Sequence, residues 1–195
     1  LKPISFRVIK PEIRVLGVDD GQFVPHVPGQ VLVVGVVFRG GYWLDGVMHT
    51  KIAVDGFDAT DKIASMITGS PHLKQLRVVM LNGITFAGFN VVDIKALNKA
   101  TNLPVITVTR DKPDLDEIHE ALQNLPESER RWNLVLDAGE PSFLSTRNAE
   151  ETVYVQTAGI SMEDAEKIVR LTSTRSSVPE PLRVAHLIAS GIGRP

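Results

Sequence analysis

The sequence predicts an α/β fold: a mixed sheet of five or more strands flanked by helices, the first three strands antiparallel and the later ones parallel. Two patterns predict it. Between residues 13 and 54, valine-rich apolar runs are separated only by short stretches bearing Gly, Pro and Asp, as hairpin-linked strands require. From Asp58 onward, apolar runs alternate with segments of helical period, as strand–helix crossovers require.

Ile13 to Val18 reads as a buried strand that ends in Asp19-Asp20-Gly21, and a Gly/Pro-rich loop follows to Gly29. Gln30 to Phe38, "QVLVVGVVF", is a second strand. Arg39-Gly40-Gly41 makes a turn, and Trp43 to Val54 returns as one or two strands, with Asp45 and Gly46 marking a further corner. "DATDKIASMITG" places Ile63, Met66 and Ile67 at helical spacing and closes on Gly69 as a C-cap. Leu76 to Leu81 is a strand ending at Asn82-Gly83. Asn90 to Ala100 reads as a helix, with Asp93 on its surface or as a cap, and Pro104 to Val108 as a strand followed by Thr109-Arg110. Leu115 to Leu125 is an amphipathic helix. Trp132 to Leu136 and Thr152 to Gln156 read as strands. A helix starts at Ser161, with Asp164 three residues on, and a last helix covers Pro181 to Ala189. Without repeats or low-complexity linkers, residues 1–195 read as a single domain.

Composition narrows the class. With 43% hydrophobic residues the chain can bury a core, and a net charge of −2 gives no global field that would attract a polyanion. A local basic groove remains compatible with that charge. There is no cysteine, which excludes disulfides and thiolate metal sites. No apolar run reaches the roughly 18 residues of a membrane helix, and no signal peptide pattern opens the chain, so a cytoplasmic protein is expected. A Walker-type phosphate loop is absent.

Ligands of such sheets sit beyond the carboxyl ends of the strands. Asp19, Asn82 and Arg110 each follow a predicted strand directly, and they converge if those strands are parallel neighbours. Two adjacent carboxylates repel, and a divalent cation turns that repulsion into binding. An Asp-Gly turn accounts for the same residues without a ligand.

The segments "GVDDG", "LNGITFAGFNVVDI", "LPVITVTR" and "VYVQTAGISMEDAEKIVRLTSTRSSVPEPLRVAHLIASG" resemble endonuclease V and, more closely, its archaeal sister family, endonuclease dU. The resemblance runs from about Glu12 to Gly191. It implies a ribonuclease H-like fold and a nuclease using Mg²⁺ (or Mn²⁺). The expected reaction is cleavage of DNA beside a deaminated base, uracil above all, with inosine and xanthine as further candidates.

Carried onto this sequence, the resemblance makes Asp19 a metal ligand. It offers Asp58 or Asp55 as the second carboxylate; an N-cap and a plain turn compete for these two. At the third position Asn82-Gly83 stands where endonuclease V has Asp-Gly, so a neutral amide replaces a carboxylate. The alternative is therefore a weakened site that binds nucleic acid or a nucleotide without cutting it. Arg110 takes the place of a lysine and is expected on the scissile phosphate, with Lys112 nearby. His186 falls where relatives carry Asp or His, and is expected at the metal or its water. Asp20, His49 and Lys51 are candidate substrate contacts, and Gly83, Phe86 and Gly88 a candidate base pocket beside Phe89. The Pro-Tyr strand-separating strip of endonuclease V has no counterpart here; Tyr42 and Trp43 are the aromatic residues available for stacking.

Overall fold

The computed structural model describes residue 4 and residues 6–147 and 150–192. The chain opens with β1 (Arg14–Asp20), β2 (Gln30–Arg39), β3 (Trp43–Ala53) and α1 (Ala59–Thr68). It continues with β4 (Val78–Asn82), a small hairpin of β5 (Thr85–Phe86) and β6 (Asn90–Val91), α2 (Ile94–Thr101) and β7 (Val105–Thr109). Then come α3 (Leu115–Leu122), α4 (Ser128–Asp137), β8 (Ser142–Ser145), β9 (Thr152–Ala158), α5 (Met162–Thr172) and α6 (Glu180–Ile192).

Seven strands form one sheet in the order β3-β2-β1-β4-β7-β9-β8. The first three pair antiparallel, while β1–β4 and β4–β7 pair parallel, as the alternating pattern predicts. The expected parallel pairing of the later strands stops at β7: β9 runs antiparallel to β7, and β8 antiparallel to β9. One face is covered by α1 and α2 over Leu16, Val18, Val33 and Leu81. The other is covered by α5 over Val15, Met80 and Val108 and by α6 over Val34 and Val36.

Three further expectations are corrected. Trp132 to Leu136 lies in α4 and is not a strand; Arg131 and Val135, four residues apart, are its buried positions, so helical period overrides the apolar run. The segment from Asn90 is first a strand and only then a helix, with the Asp93 side chain accepting from the backbone N–H of Lys95 and Ala96 as an N-cap. Asp45 and Gly46 are no corner. The β2–β3 register shifts between Val37 and Phe38, which makes Asp45 the extra residue of a bulge, where it meets Arg14 and Arg39 at 3.3 and 3.4 Å.

The decisive packing contact is α6 on β1. A Cβ on Gly17 would stand 2.3 Å from the Pro181 carbonyl carbon, and one on Gly21 would stand 3.0 Å from the Ala189 carbonyl oxygen. Only glycine lets the helix backbone touch the strand there. Gly17→Ala is therefore expected to lower stability by about 1–3 kcal/mol in urea unfolding. Gly191→Ala, with nothing within 4 Å of its Cβ, is expected to leave stability unchanged or raise it.

Candidate active site

Side chains alternate along β1, so Asp19 and Asp20 emerge on opposite faces of the sheet. Asp19 turns toward α6. Its side chain is 3% exposed, and its Oδ2 lies 2.9 Å from Nδ1 of His186. Its Oδ1 accepts from the Asp20 backbone N–H at 3.0 Å, and the Asn82 amide also hydrogen-bonds to it. Burial raises the Asp19 carboxyl above the usual carboxylate range, and these hydrogen bonds only partly offset it. The parallel register that sets Val18 beside Leu81 puts Asp19 and Asn82 on one face. The three groups predicted at Asp19, Asn82 and His186 thus meet, from the ends of two central strands and the helix laid over them.

Arg110, one residue past β7, walls the cleft of about 280 Å³ that Asn82 and His186 line, together with Val178, Leu182 and Arg183. Asn82 and Arg110 also border a second hollow of about 310 Å³. Thr109, Asp111 and Lys112 are among its polar lining residues, Leu115, Ile118 and Val135 among its apolar ones, and Gly83 borders it. Gly83 has φ +76°, which suits glycine and leaves the strand end open toward this hollow.

Asp20 faces the other side. Its carboxylate accepts from the backbone N–H of Ala87 at the tip of the β5–β6 hairpin. Asp55 grips the same tip: its N–H donates to Ala87 O at 2.9 Å and its Oδ1 accepts from Phe89 N–H at 2.8 Å. Asp58 Oδ1 accepts from Ala53 N–H at 3.1 Å and Asn90 Nδ2 at 2.7 Å, without a side-chain cap bond to α1. Asp55 and Asp58, expected beside Asp19, are both bound to the hairpin and its surroundings. Among the described residues no three His, Asp or Glu side chains cluster as a metal centre. Phe86 belongs to the core at 1% exposure, and a Cβ on Gly88 would meet Asp55 Oδ1 at 2.3 Å. Those two positions therefore build the hairpin, and the open hollow adjoins Gly83 instead. Phe89 packs toward α3 and α4.

His49 and Lys51 sit on the exposed side of edge strand β3. The cross-strand row Asp19–Val34–His49, with Leu32–Lys51 beside it, places both on the α6 face of the sheet. Tyr42 and Trp43 are exposed at the opposite end of that strand, near Arg39.

Two features escaped the sequence reading. Arg131 is buried and donates to four backbone carbonyls, of Pro126, Gly56, Phe89 and Asp55, while stacking 4.0 Å above Phe57. It ties α4 to the hairpin and to the turn before α1. Glu180 and Arg183, at the start of α6, form a bidentate pair at the cleft. An Arg three residues after a Glu is common on solvated helices, so spacing alone did not mark it.

The donor set fits a divalent cation in kind. Mg²⁺ is commonly held by one or two carboxylates, its other positions going to waters and phosphate oxygens. Asp19 is a buried carboxylate, and Asn82, beside it at the end of the neighbouring strand, carries an amide oxygen, a neutral hard ligand.

A model of the endonuclease dU family matches residues 11–193. A UPF0215 protein of Methanothermobacter thermautotrophicus is 53% identical over 96% of this chain and 91% of its own length. One from Thermococcus sibiricus is 44% identical, covering 95% of both chains. Among solved structures, a protein of unknown function from Archaeoglobus fulgidus superposes with a TM-score of 0.83 at 40% identity, covering 94% of this chain and 99% of that one. Endonuclease V of Bacillus subtilis follows this chain over 93% of its length and 81% of its own, with a TM-score of 0.63 at 14% identity. Ciona intestinalis endonuclease V, crystallised with DNA containing an inosine followed by a ribo-adenosine, gives 0.56 at 17% identity over 89% and 82%. These likenesses make the fold ribonuclease H-like, as the sequence resemblance implied. Among the described residues no helix is long and apolar enough to cross a membrane.

Burial, reinforced by the neighbouring Asp19 charge, pushes the Asp20 carboxyl up to about 6. A raised carboxyl favours the folded state at low pH, and that contribution is lost as pH rises through about 6. Asp20→Asn keeps an acceptor for Ala87 without the charge. In chelator-treated buffer its stability relative to wild type should climb between about pH 4 and pH 7, read by urea unfolding at each pH. A gap that does not change with pH would contradict the assignment.

Proposed function

The chain belongs to the endonuclease dU family, and we propose that it is a metal-dependent endonuclease that hydrolyses DNA phosphodiester bonds near deaminated bases. Uracil is the first candidate, followed by inosine and xanthine. The observation that carries this reading is the meeting of buried Asp19 with Asn82 and His186, two residues that line a cleft walled by arginine. A buried carboxylate whose partners line a cleft carrying guanidinium groups suits a phosphodiester bridged to a cation.

A bound Mg²⁺ or Mn²⁺ would supply charge neutralisation at the phosphate and a more acidic water. Asp19 and the Asn82 amide oxygen are the groups that would hold it. Asp19 orients the His186 ring through Nδ1, which leaves Nε2 as the outward ring nitrogen of a side chain 61% exposed. His186 Nε2 can then accept the proton of the attacking water as its oxygen bonds to phosphorus. The P–O bond to the departing sugar oxygen breaks, and that oxygen takes a proton from solvent. Arg110 binds a non-bridging phosphate oxygen and offsets the charge that grows there. The hollow beside Gly83, with Lys112 among its lining residues, is of a size to take an unstacked base. His49 and Lys51 extend the contact to the flanking strand. Asp20, Gly88 and Phe86 act at a distance by shaping the hairpin.

A second reading has a specific observation behind it. With Asn82 in place of a carboxylate, and no three-residue His/Asp/Glu cluster among the described residues, the site on this reading binds nucleic acid or a nucleotide without cutting it.

Cleavage with Mg²⁺ of strands carrying uracil, inosine or xanthine, set beside an unmodified strand, tests both. Asp19→Ala is expected to lose at least about 100-fold in rate. Asn82→Asp is expected to lower the metal concentration giving half-maximal rate. Equal behaviour of wild type and Asp19→Ala on every strand would end the nuclease reading. A wild type that binds but does not cut, beside an Asn82→Asp variant that cuts, selects the second one.

A further inference from the structure

We propose that Arg183 is a second phosphate-binding residue of the cleft and that Glu180 is its positioning residue; this rests on the reading of the cleft as a phosphodiester site. Glu180 opens α6 and is 2% exposed. Burying a carboxylate is costly unless its charge and lone pairs are matched. Arg183 matches them: Nε reaches Oε1 at 2.8 Å and Nη2 reaches Oε2 at 2.7 Å, and Arg175 Nε approaches Oε2 at 3.8 Å.

That fork uses one edge of the guanidinium. The remaining donors, on Nη1 and the second hydrogen of Nη2, meet no protein acceptor among the described residues, and the side chain is 34% exposed. Arg183 lines the cleft with Arg110, Asn82 and His186. It also stands three residues before His186, hence on the same side of the helix. Lysine could supply the charge but not the two-edged geometry, in which one edge is locked to Glu180 and the other is presented. The Glu180 pair keeps Arg183 firmly protonated. A pair serving α6 alone, as an acidic group in its first turn, would also favour the helix. The two roles make different predictions.

The full-length protein is tested with an oligonucleotide bearing the base that wild type cleaves best, or uracil if it cleaves none. In chelator, binding is followed by fluorescence anisotropy across a salt series. Arg183→Gln should make log K less steep against log[salt] by about one phosphate's worth. With metal, Arg183→Lys should raise KM or lower kcat about 10-fold, since the charge is kept and the fork lost. Glu180→Gln adds a net positive charge, so simple electrostatics predicts binding no weaker. Loss of positioning nevertheless predicts a single-turnover rate about 10-fold lower in protein that circular dichroism shows to be folded. If Glu180→Gln does not fold, the two Arg183 variants decide. An unchanged salt slope and unchanged rates in the Arg183 variants, beside an inactive Asp19→Ala, would overturn the proposal and leave the nuclease reading standing. A reduced slope in a protein that cleaves nothing would do the reverse.

Discussion

The site depends on how closely α6 approaches β1. Where Gly17 faces Pro181 there is no room for a side chain, so helix backbone rests directly on strand backbone. From that contact the helix runs on past Asp19 and brings His186 to 2.9 Å from its carboxylate. A wider separation would leave Asp19 with its Asn82 and Asp20 hydrogen bonds but without its imidazole partner. A buried carboxylate stripped of one partner is a costly group. The same approach sets Arg183 one turn ahead of His186, so one packing contact positions both ends of the cleft wall contributed by α6.

The sheet divides the work of two adjacent carboxylates. Asp19 goes to the cleft, while Asp20 goes to the hairpin tip on the other side. There Ala87 has φ +45°, a conformation costly for a residue with a Cβ. Asp20 and Asp55 hold that residue from its N–H and its carbonyl oxygen, and Arg131 secures the surrounding carbonyls. Asn82-Gly83, between β4 and this hairpin, therefore stands on an anchored support. Rigid support of this kind is what a site needs to keep its reacting groups in register.

Much of this arrangement was legible in the sequence, for identifiable reasons. The central strands are buried on both sides and read as unbroken valine-rich runs, so β1, β2, β4 and β7 were found nearly in place. The parallel pairing of β1, β4 and β7 made the convergence of Asp19, Asn82 and Arg110 foreseeable. Asp55 and Asp58 were harder: a carboxylate near a strand end reads the same whether it faces a cation or a backbone N–H. The β5–β6 hairpin has two-residue strands, too short for any period to register. Arg131 stands beside Arg130 in a charged stretch with no local sign of burial. Its burial follows from the turn before α1, the hairpin and the start of α4 meeting in space, which no local pattern records. Glu180 was hidden likewise, because burial of a charged residue is a tertiary fact.

Charge balance joins the amide at Asn82 to the arginines around it. A third carboxylate at the strand ends would strengthen cation binding, but it would also raise the electrostatic penalty already carried by buried Asp19. With an amide there, the negative charge at the strand ends stays low while Arg110 and Arg183 line the cleft. Glu180 pairs with Arg183 and balances part of its charge. An arrangement with few anionic ligands and fixed cationic walls favours an anion brought in from outside, whose own oxygens would complete the coordination of any metal held by Asp19. On the proposed nuclease reading, metal and phosphate would bind as partners, each weak without the other, and the substrate would supply the charge missing at Asn82.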